Sequence, residues 1–126
     1  MRNPDEFRFA KSHEWIAADG TVGITDHAQR EITDVVYVDL PKVGKEYKAG
    51  EPAAVIESVK AAFDIYAPVS GKIVKVNTDL SKNPALVNKS AYENGWLFEI
   101  ECSDAGEASR LLSEAQYQGV KDAAHH

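Results

Sequence analysis

The sequence predicts a mainly β protein with short helices, and three observations carry the prediction. Apolar or β-branched segments of strand length recur through most of the chain. Turn-forming residues separate them, at Asp19-Gly20, Pro41 to Gly44, Gly50-Glu51-Pro52 and Ser70-Gly71. The last quarter changes character, with two successive capping-box patterns.

Taken in order, Phe7 to Ala10 and Glu14 to Ala18 read as short strands. Asp19-Gly20 is a hairpin turn into Thr21-Val22-Gly23-Ile24, and Thr25 or Asp26 caps a short helix through Glu31. Val35 to Leu40, rich in β-branched residues, predicts a buried strand. A glycine turn precedes a short apolar strand twice, at Ala53 to Glu57 and at Lys72 to Val76, which points to a quasi-twofold arrangement. Lys72 to Val76 alternates as a half-exposed strand should. The stretch from Asn77 to Asn88, with Pro84 inside it, is turn-rich, and Gly95 to Ile100 reads as the closing strand. Asp104 with Glu107, and Ser113 with Gln116, have capping-box spacing. Leu111 and Leu112 give the first of these helices an apolar face, and Tyr117 and Val120 the second. Packing across the outside of the sheet is the expected role, with partner docking as the alternative.

The 126 residues suit one domain over 1–126, with no linker. A net charge of -6 argues against nucleic-acid binding, which needs a basic patch. It suits either plain solubility or encounter with basic partner surfaces. The single cysteine, Cys102, excludes an internal disulfide and Cys-based zinc sites. No apolar run reaches the ~18 residues of a membrane span, and the start, Met1 to Glu6, resembles neither a secretory signal nor a transit peptide. These features fit a cytoplasmic protein if the source is bacterial, or a processed protein of the mitochondrial matrix. A monomer is expected, since no extra apolar surface is evident. The closing His125-His126 fits a native end or a tag remnant equally.

Lys60 stands at the centre of Val55 to Gly71, at a short turn between two strand-like segments. Paired strands fix register, so a tip residue is held outward at a set place. A lysine at a hairpin tip, taken alone, reads as a solvated charge. Small neighbours Ala61 and Ala62, flanking strands and the Pro68-Val69-Ser70-Gly71 turn favour a covalent anchor for a swinging cofactor arm. Catalytic patterns are missing: there is no nucleophile elbow, His-Glu-x-x-His helix, dinucleotide motif or P-loop. His13 and His27, the only internal histidines, do not suffice for a metal site. Asn88-Lys89-Ser90 matches a glycosylation acceptor by chance. Cys102 reads as a small buried hydrophobe, with a thiol partner for a dithiol cofactor as the sharper alternative.

At these residues the chain resembles the H proteins of the glycine cleavage system. Glu57-Ser58-Val59-Lys60-Ala61, Asp64 and Tyr66 to Gly71 are similar to that family's lipoyl-attachment segment. Ser12-His13-Glu14-Trp15, Val22 to Gln29, Asp34 to Val38, Asn83-Pro84, Leu86-Val87-Asn88 and Gly95-Trp96-Leu97 agree in the same order. The resemblance runs from about Phe9 to about Tyr117. It implies a barrel-sandwich hybrid with Lys60 on an exposed hairpin and lipoate joined to it by an amide bond. It also implies three enzyme partners besides the lipoylating enzymes. A pyridoxal-phosphate glycine decarboxylase (P protein) would load an aminomethyl group, and a folate-dependent aminomethyltransferase (T protein) would take the methylene and release ammonia. Dihydrolipoyl dehydrogenase (L protein) would then reoxidise the arm with NAD. On this reading the chain carries and does not catalyse.

On this resemblance the loaded arm would end in a primary amine prone to lose its methylene to water unless sheltered. Within the resembling motifs Ser12, Glu14 and Asp64 are therefore expected to form an arm-docking surface. Glu14 and Asp64 also fit as the exposed alternates of strands. Two departures stand out: Thr33 where the family has glycine, so that the turn is expected to be rebuilt, and Phe63 where it has a small residue. Phe63 either packs under the hairpin or alters docking to a partner. Lipoyl domains of 2-oxo acid dehydrogenases favour Asp-Lys-Ala and biotin carriers Met-Lys-Met, unlike Val59-Lys60-Ala61. The remaining alternatives are an H-like protein relaying lipoyl groups, and an enzyme using Lys60 as a Schiff-base nucleophile, which requires a desolvated lysine.

Overall fold

Strand pairing in a computed structural model of the chain divides β structure between two antiparallel sheets. The structure describes residues 6–123; the side chains of residues 105 and 120–123 lie outside that description, so the Val120 expectation does too, as do residues 1–5 and His125-His126. In chain order the strands are β1 (Arg8–Phe9), β2 (Glu14–Ile16), β3 (Thr21–Ile24), β4 (Val35–Asp39), β5 (Glu46–Tyr47), β6 (Pro52–Ser58), β7 (Ala62–Tyr66), β8 (Gly71–Val76) and β9 (Phe98–Cys102). The helices are α1 (Asp26–Ile32), α2 (Asp79–Lys82), α3 (Leu86–Lys89), α4 (Ala105–Ser109) and α5 (Glu114–Ala123). Six strands form one sheet in the order β1-β2-β3-β9-β8-β5, and β4-β6-β7 form the other. The two strands of the suspected repeat thus fall in different sheets, β6 in the smaller and β8 in the larger.

The inner faces of the two sheets close on one core. Ile16, Val22, Ile24, Ile73 and Ile100 come from the larger sheet, Val35, Val38, Ile56 and Ile65 from the smaller. Burying each such side chain stabilises the fold by about 1.5–3 kcal/mol. This is the two-sheet sandwich with short helices that the sequence led us to expect. Strand alternation sends Trp15, between Glu14 and Ile16, to the other face of the large sheet. There it stacks on Phe7 at 4.3 Å, and its indole N–H donates to the Ala91 carbonyl at 3.1 Å. Phe9 and Tyr117 stack at 4.8 Å in the same aromatic cluster, which fixes α5 against β1. Gly23, paired with Trp15, is required there: a Cβ would lie 2.6 Å from the indole ring.

Several expectations are corrected. The strand at Val35 is not buried throughout: a bulge leaves Val36 and Tyr37 exposed, and only Val35 and Val38 face the core. The closing strand begins at Phe98, because residues 91–95 form a turn that Gly95 N–H closes on the Ser90 carbonyl at 2.8 Å. The turn-rich Asn77 to Asn88 stretch contains α2 and begins α3, single-turn helices on either side of Pro84. Leu111 and Leu112 lie past α4, and Leu112 instead exchanges backbone hydrogen bonds with Phe9. Ser113 and Gln116 do form a reciprocal capping box. Asp104 caps α4 alone, because Glu107 accepts from the N–H and hydroxyl of Ser70 at 2.8 and 3.0 Å and so pins α4 to the turn before β8. Thr25, not Asp26, is the cap of α1, accepting from Ala28 N–H at 3.1 Å.

Thr33 does not rebuild its turn. It holds φ 69° and ψ -155°, a backbone region that is nearly glycine-only and costs a β-branched residue about 1–3 kcal/mol. Asn88 enforces it: its amide donates to the Thr33 carbonyl at 2.7 Å while its oxygen accepts from Val35 N–H at 2.9 Å. That engagement also leaves the Asn88 amide spent within the fold. Thr33→Gly is expected to raise unfolding stability by about 1 kcal/mol net of glycine's chain entropy; urea unfolding with an unchanged m-value measures it, and a loss of stability would refute the strain.

Candidate functional site

Lys60 is displayed by the hairpin that joins β6 to β7. Glu57 pairs with Ala62 and Ser58 N–H donates to the Ala61 carbonyl at 2.8 Å, which leaves Val59 and Lys60 at the tip. The Ser58 hydroxyl braces the turn from inside, accepting from the N–H groups of Lys60 and Ala61 at 3.2 and 3.3 Å. Val59 N–H donates to the Asp34 carbonyl at 3.1 Å, tying the tip to the start of β4. Lys60, Ala61 and Ala62 are all exposed. A desolvated Schiff-base lysine is not what this hairpin builds.

A separate cleft of about 380 Å³ opens between β7, α1 and the turn before β2. Ser12, Asp64, His13, His27, Glu31 and Phe63 are among the residues that line it, with Ile24, Ile32 and Ile65 at its apolar base. Asp64 lies on β7, beyond the turn that carries Lys60 and four residues after it. Phe63, on β7, packs against the main core and lines this cleft.

Glu14 stands behind the cleft and is not an exposed alternate. It shares the inner face of β2 with Ile16, and it is 1% exposed. Its carboxylate accepts from the Ser12 hydroxyl and from Tyr66 N–H, the latter at 3.2 Å. Burial raises its pKa from 4.5 to about 7, a rise limited by the Ser12 and Tyr66 hydrogen bonds. Asp64 is exposed, as a strand alternate would be, yet it lines the cleft. Ser12 and Asp64 therefore share the cleft, Glu14 is joined to it only through the Ser12 hydroxyl, and Lys60 stands apart at the tip.

The histidines are the neighbours that sequence reasoning passed over. Their rings lie 4.7 Å apart on the cleft wall. His13 contacts the Tyr117 hydroxyl at 2.7 Å, and His27 Nε2 lies 3.7 Å from the Glu31 carboxylate. Tyr117 also meets the Thr25 hydroxyl at 2.8 Å, and burial pushes its pKa up to about 12. It is a neutral post linking α5, the cap of α1 and the cleft. Adjacency to Ser12, Glu14 and Asp26 within the motifs was the available signal. Cys102 is half-buried and lines a different hollow of about 560 Å³ with Glu46, Ser70 and Glu101. None of the cleft residues reaches it. No helix among the described residues is long and apolar enough to cross a membrane.

Residues 7–124 match the family model described as Glycine cleavage H-protein. The chain is 59% identical over 117 residues to a glycine cleavage system H protein of Deinococcus deserti, covering 93% of this chain and 96% of that protein. It is 56% identical over 114 residues to one from Thermotoga maritima, covering 88% and 92%. A crystal structure of an H protein from Mycobacterium marinum superposes with a TM-score of 0.84 at 36% identity, covering 93% of this chain and 97% of that one.

The buried carboxylate gives a test of this geometry. A raised folded pKa means that Glu14 destabilises the fold as pH rises from its unfolded value of 4.5 through about 7, by about 3 kcal/mol in all. Unfolding free energies of wild type and Glu14→Gln are therefore expected to diverge in favour of the variant between pH 4.5 and 8. A constant difference across that range would show that Glu14 titrates normally.

Proposed function

The chain belongs to the glycine cleavage H-protein family, and from that premise we propose that Lys60 carries lipoate through an amide bond and that the cleft shelters the arm's loaded end. The carrier role in the glycine cleavage system follows from the family. The observation that carries the assignment to Lys60 is its exposed place on a braced tip, as the only basic residue between Lys48 and Lys72. An amide there costs no internal contact, and small Ala61 and Ala62 leave room for an enzyme to reach Nζ. When bound, the group supplies a redox-active disulfide on a long tether.

The chain's own residues do the rest. The hairpin holds the anchor at a fixed height, so the tether raises the local concentration of its end near any docked active site. Asp64 at the mouth and Glu14 behind it attract a cation, and an amine beside Glu14 pulls that carboxyl back toward its ionised form. Ser12 supplies a hydroxyl at the same point. Ile24, Ile32, Phe63 and Ile65 exclude water from the bound end, which strengthens the attraction and slows hydrolysis.

In this reading the whole chain, 1–126, is one non-catalytic carrier domain. It shuttles the aminomethyl group of glycine from the pyridoxal-phosphate decarboxylase to the folate-dependent aminomethyltransferase, and dihydrolipoyl dehydrogenase returns it to the oxidised state. It works where those enzymes are, in a bacterial cytoplasm or a mitochondrial matrix. A lipoyl relay to other enzymes would use the same anchor.

Expression with lipoate and lipoylating enzymes is expected to add one lipoyl mass increment to the Lys60 peptide, and none to Lys60→Arg. An unmodified Lys60 beside a lipoylated control H protein would defeat the assignment. Reconstitution with the three partner enzymes then separates glycine cleavage from relay. In that system loaded Glu14→Gln is expected to release its amine about tenfold faster than wild type, a loss of about 1.4 kcal/mol of docking; equal release rates would remove Glu14 from the docking role.

A further inference from the structure

Among the described residues, the large apolar side chains left exposed are Val36, Tyr37, Val43, Val59 and Val74. Three of these five gather beside Lys60. Val59 is its chain neighbour and is 68% exposed. Val36 and Tyr37, 55% and 51% exposed, are turned outward together by the β4 bulge. Tyr37 pairs with Glu57 and Val35 with Ser58, so β4 runs directly alongside the base of the hairpin. The Val59 N–H to Asp34 carbonyl bond holds the tip against it.

The folded core does not require this arrangement. A bulge inserts an extra outward residue, and here both outward residues are apolar where strand alternation would place polar ones. The charge carried by the strands around them has one sign. Strands β4, β6 and β7 contain no lysine or arginine, while Asp34, Asp39 and Glu57 flank the apolar group. On these strands and their hairpin tip Lys60 alone is positive, and acylation would remove that charge; Lys82 comes from α2, which packs against β4.

We propose that Val36, Tyr37 and Val59 form the docking surface for the enzyme that acylates Lys60, and that this enzyme meets them with an apolar recess rimmed by basic side chains. The proposal rests on Lys60 being the lipoyl anchor. Acylation is the one event that must bring an active site to Nζ itself, whereas later partners engage the far end of the arm. The neutral amine attacks the activated acyl carbon, the C–N bond forms, the bond to the activating group breaks, and the amine proton passes to solvent. A rigid apolar patch beside the nucleophile fixes its approach, and carboxylates steer a basic partner.

The test is steady-state acylation of the full-length, unmodified protein by a purified lipoate–protein ligase with lipoate and ATP. Val36→Thr/Tyr37→Thr/Val59→Thr keeps β-branching at 36 and 59 and strand propensity at all three positions, and a thermal melt matched to wild type verifies its fold. Its KM as acceptor is expected to rise about tenfold, equivalent to about 1.4 kcal/mol, with kcat within about twofold. Asp34→Asn/Asp39→Asn, which leaves every apolar contact intact, is expected to flatten the salt dependence of kcat/KM. Normal Lys60 acylation with an unchanged KM in the apolar variant overturns the docking surface. An unchanged salt dependence in the Asn variant overturns the basic partner. Acylation of wild type elsewhere than Lys60 overturns the anchor reading as well, and peptide mass distinguishes that failure from the other two.

Discussion

A carboxylate on the buried face of β2 couples the two sheets. Glu14 belongs to the six-stranded sheet, and the Tyr66 N–H that it accepts belongs to the edge strand of the smaller one. Period-two alternation gives the carboxylate no choice: with Ile16 committed to the core, Glu14 must face inward too. A buried acid needs partners, and Ser12 and Tyr66 are those partners. Their positions bring the turn before β2 against β7, which makes the cleft. The same interaction that holds the sheets in register therefore builds the recess.

The hairpin and the cleft divide the labour along a single strand. At one end of β7 the chain turns tightly around Ser58 and exposes Lys60; further along, Ile65 faces the recess and exposed Asp64 borders it. A rigid strand fixes the separation of anchor and shelter, and only the arm between them has to move. α1 completes the recess, and its placement depends on its two ends. Thr25 caps the first with help from Tyr117, and Asn88 clamps the last through a strained Thr33. The strain is tolerated because Asn88 satisfies Thr33, Gln29 and Val35 together.

The aromatic cluster under the large sheet serves the site at one remove. Trp15 needs Gly23 opposite it and a carbonyl for its N–H. Once seated, it fixes the face on which Glu14 lies. Tyr117 carries the same constraint to the C-terminal helix, stacking on Phe9 and reaching His13 with its hydroxyl. Packing, the simpler of the two roles foreseen for that helix, accounts for these contacts.

Local pattern was enough to place the strands around Asp19-Gly20, the α1 segment, the Lys60 hairpin and the Ser113–Gln116 box, because each is written in neighbouring residues as a period, a turn or a cap. The ordered motifs also pointed to the family and to Ser12, Glu14 and Asp64 as a group. What local pattern left open was burial. Whether Glu14 is solvated depends on which face Ile16 shares, and whether Val36 is covered depends on a bulge formed against β6. Glu107 was free to cap its own helix and instead took Ser70, a partner 37 residues away. Thr33 keeps a glycine's backbone because Asn88, far along the chain, holds it there. Sequence alone determined where the chain turns and which residue it displays. Only the tertiary structure decided which side chains are shielded from water, since shielding is set by whatever distant segment packs opposite.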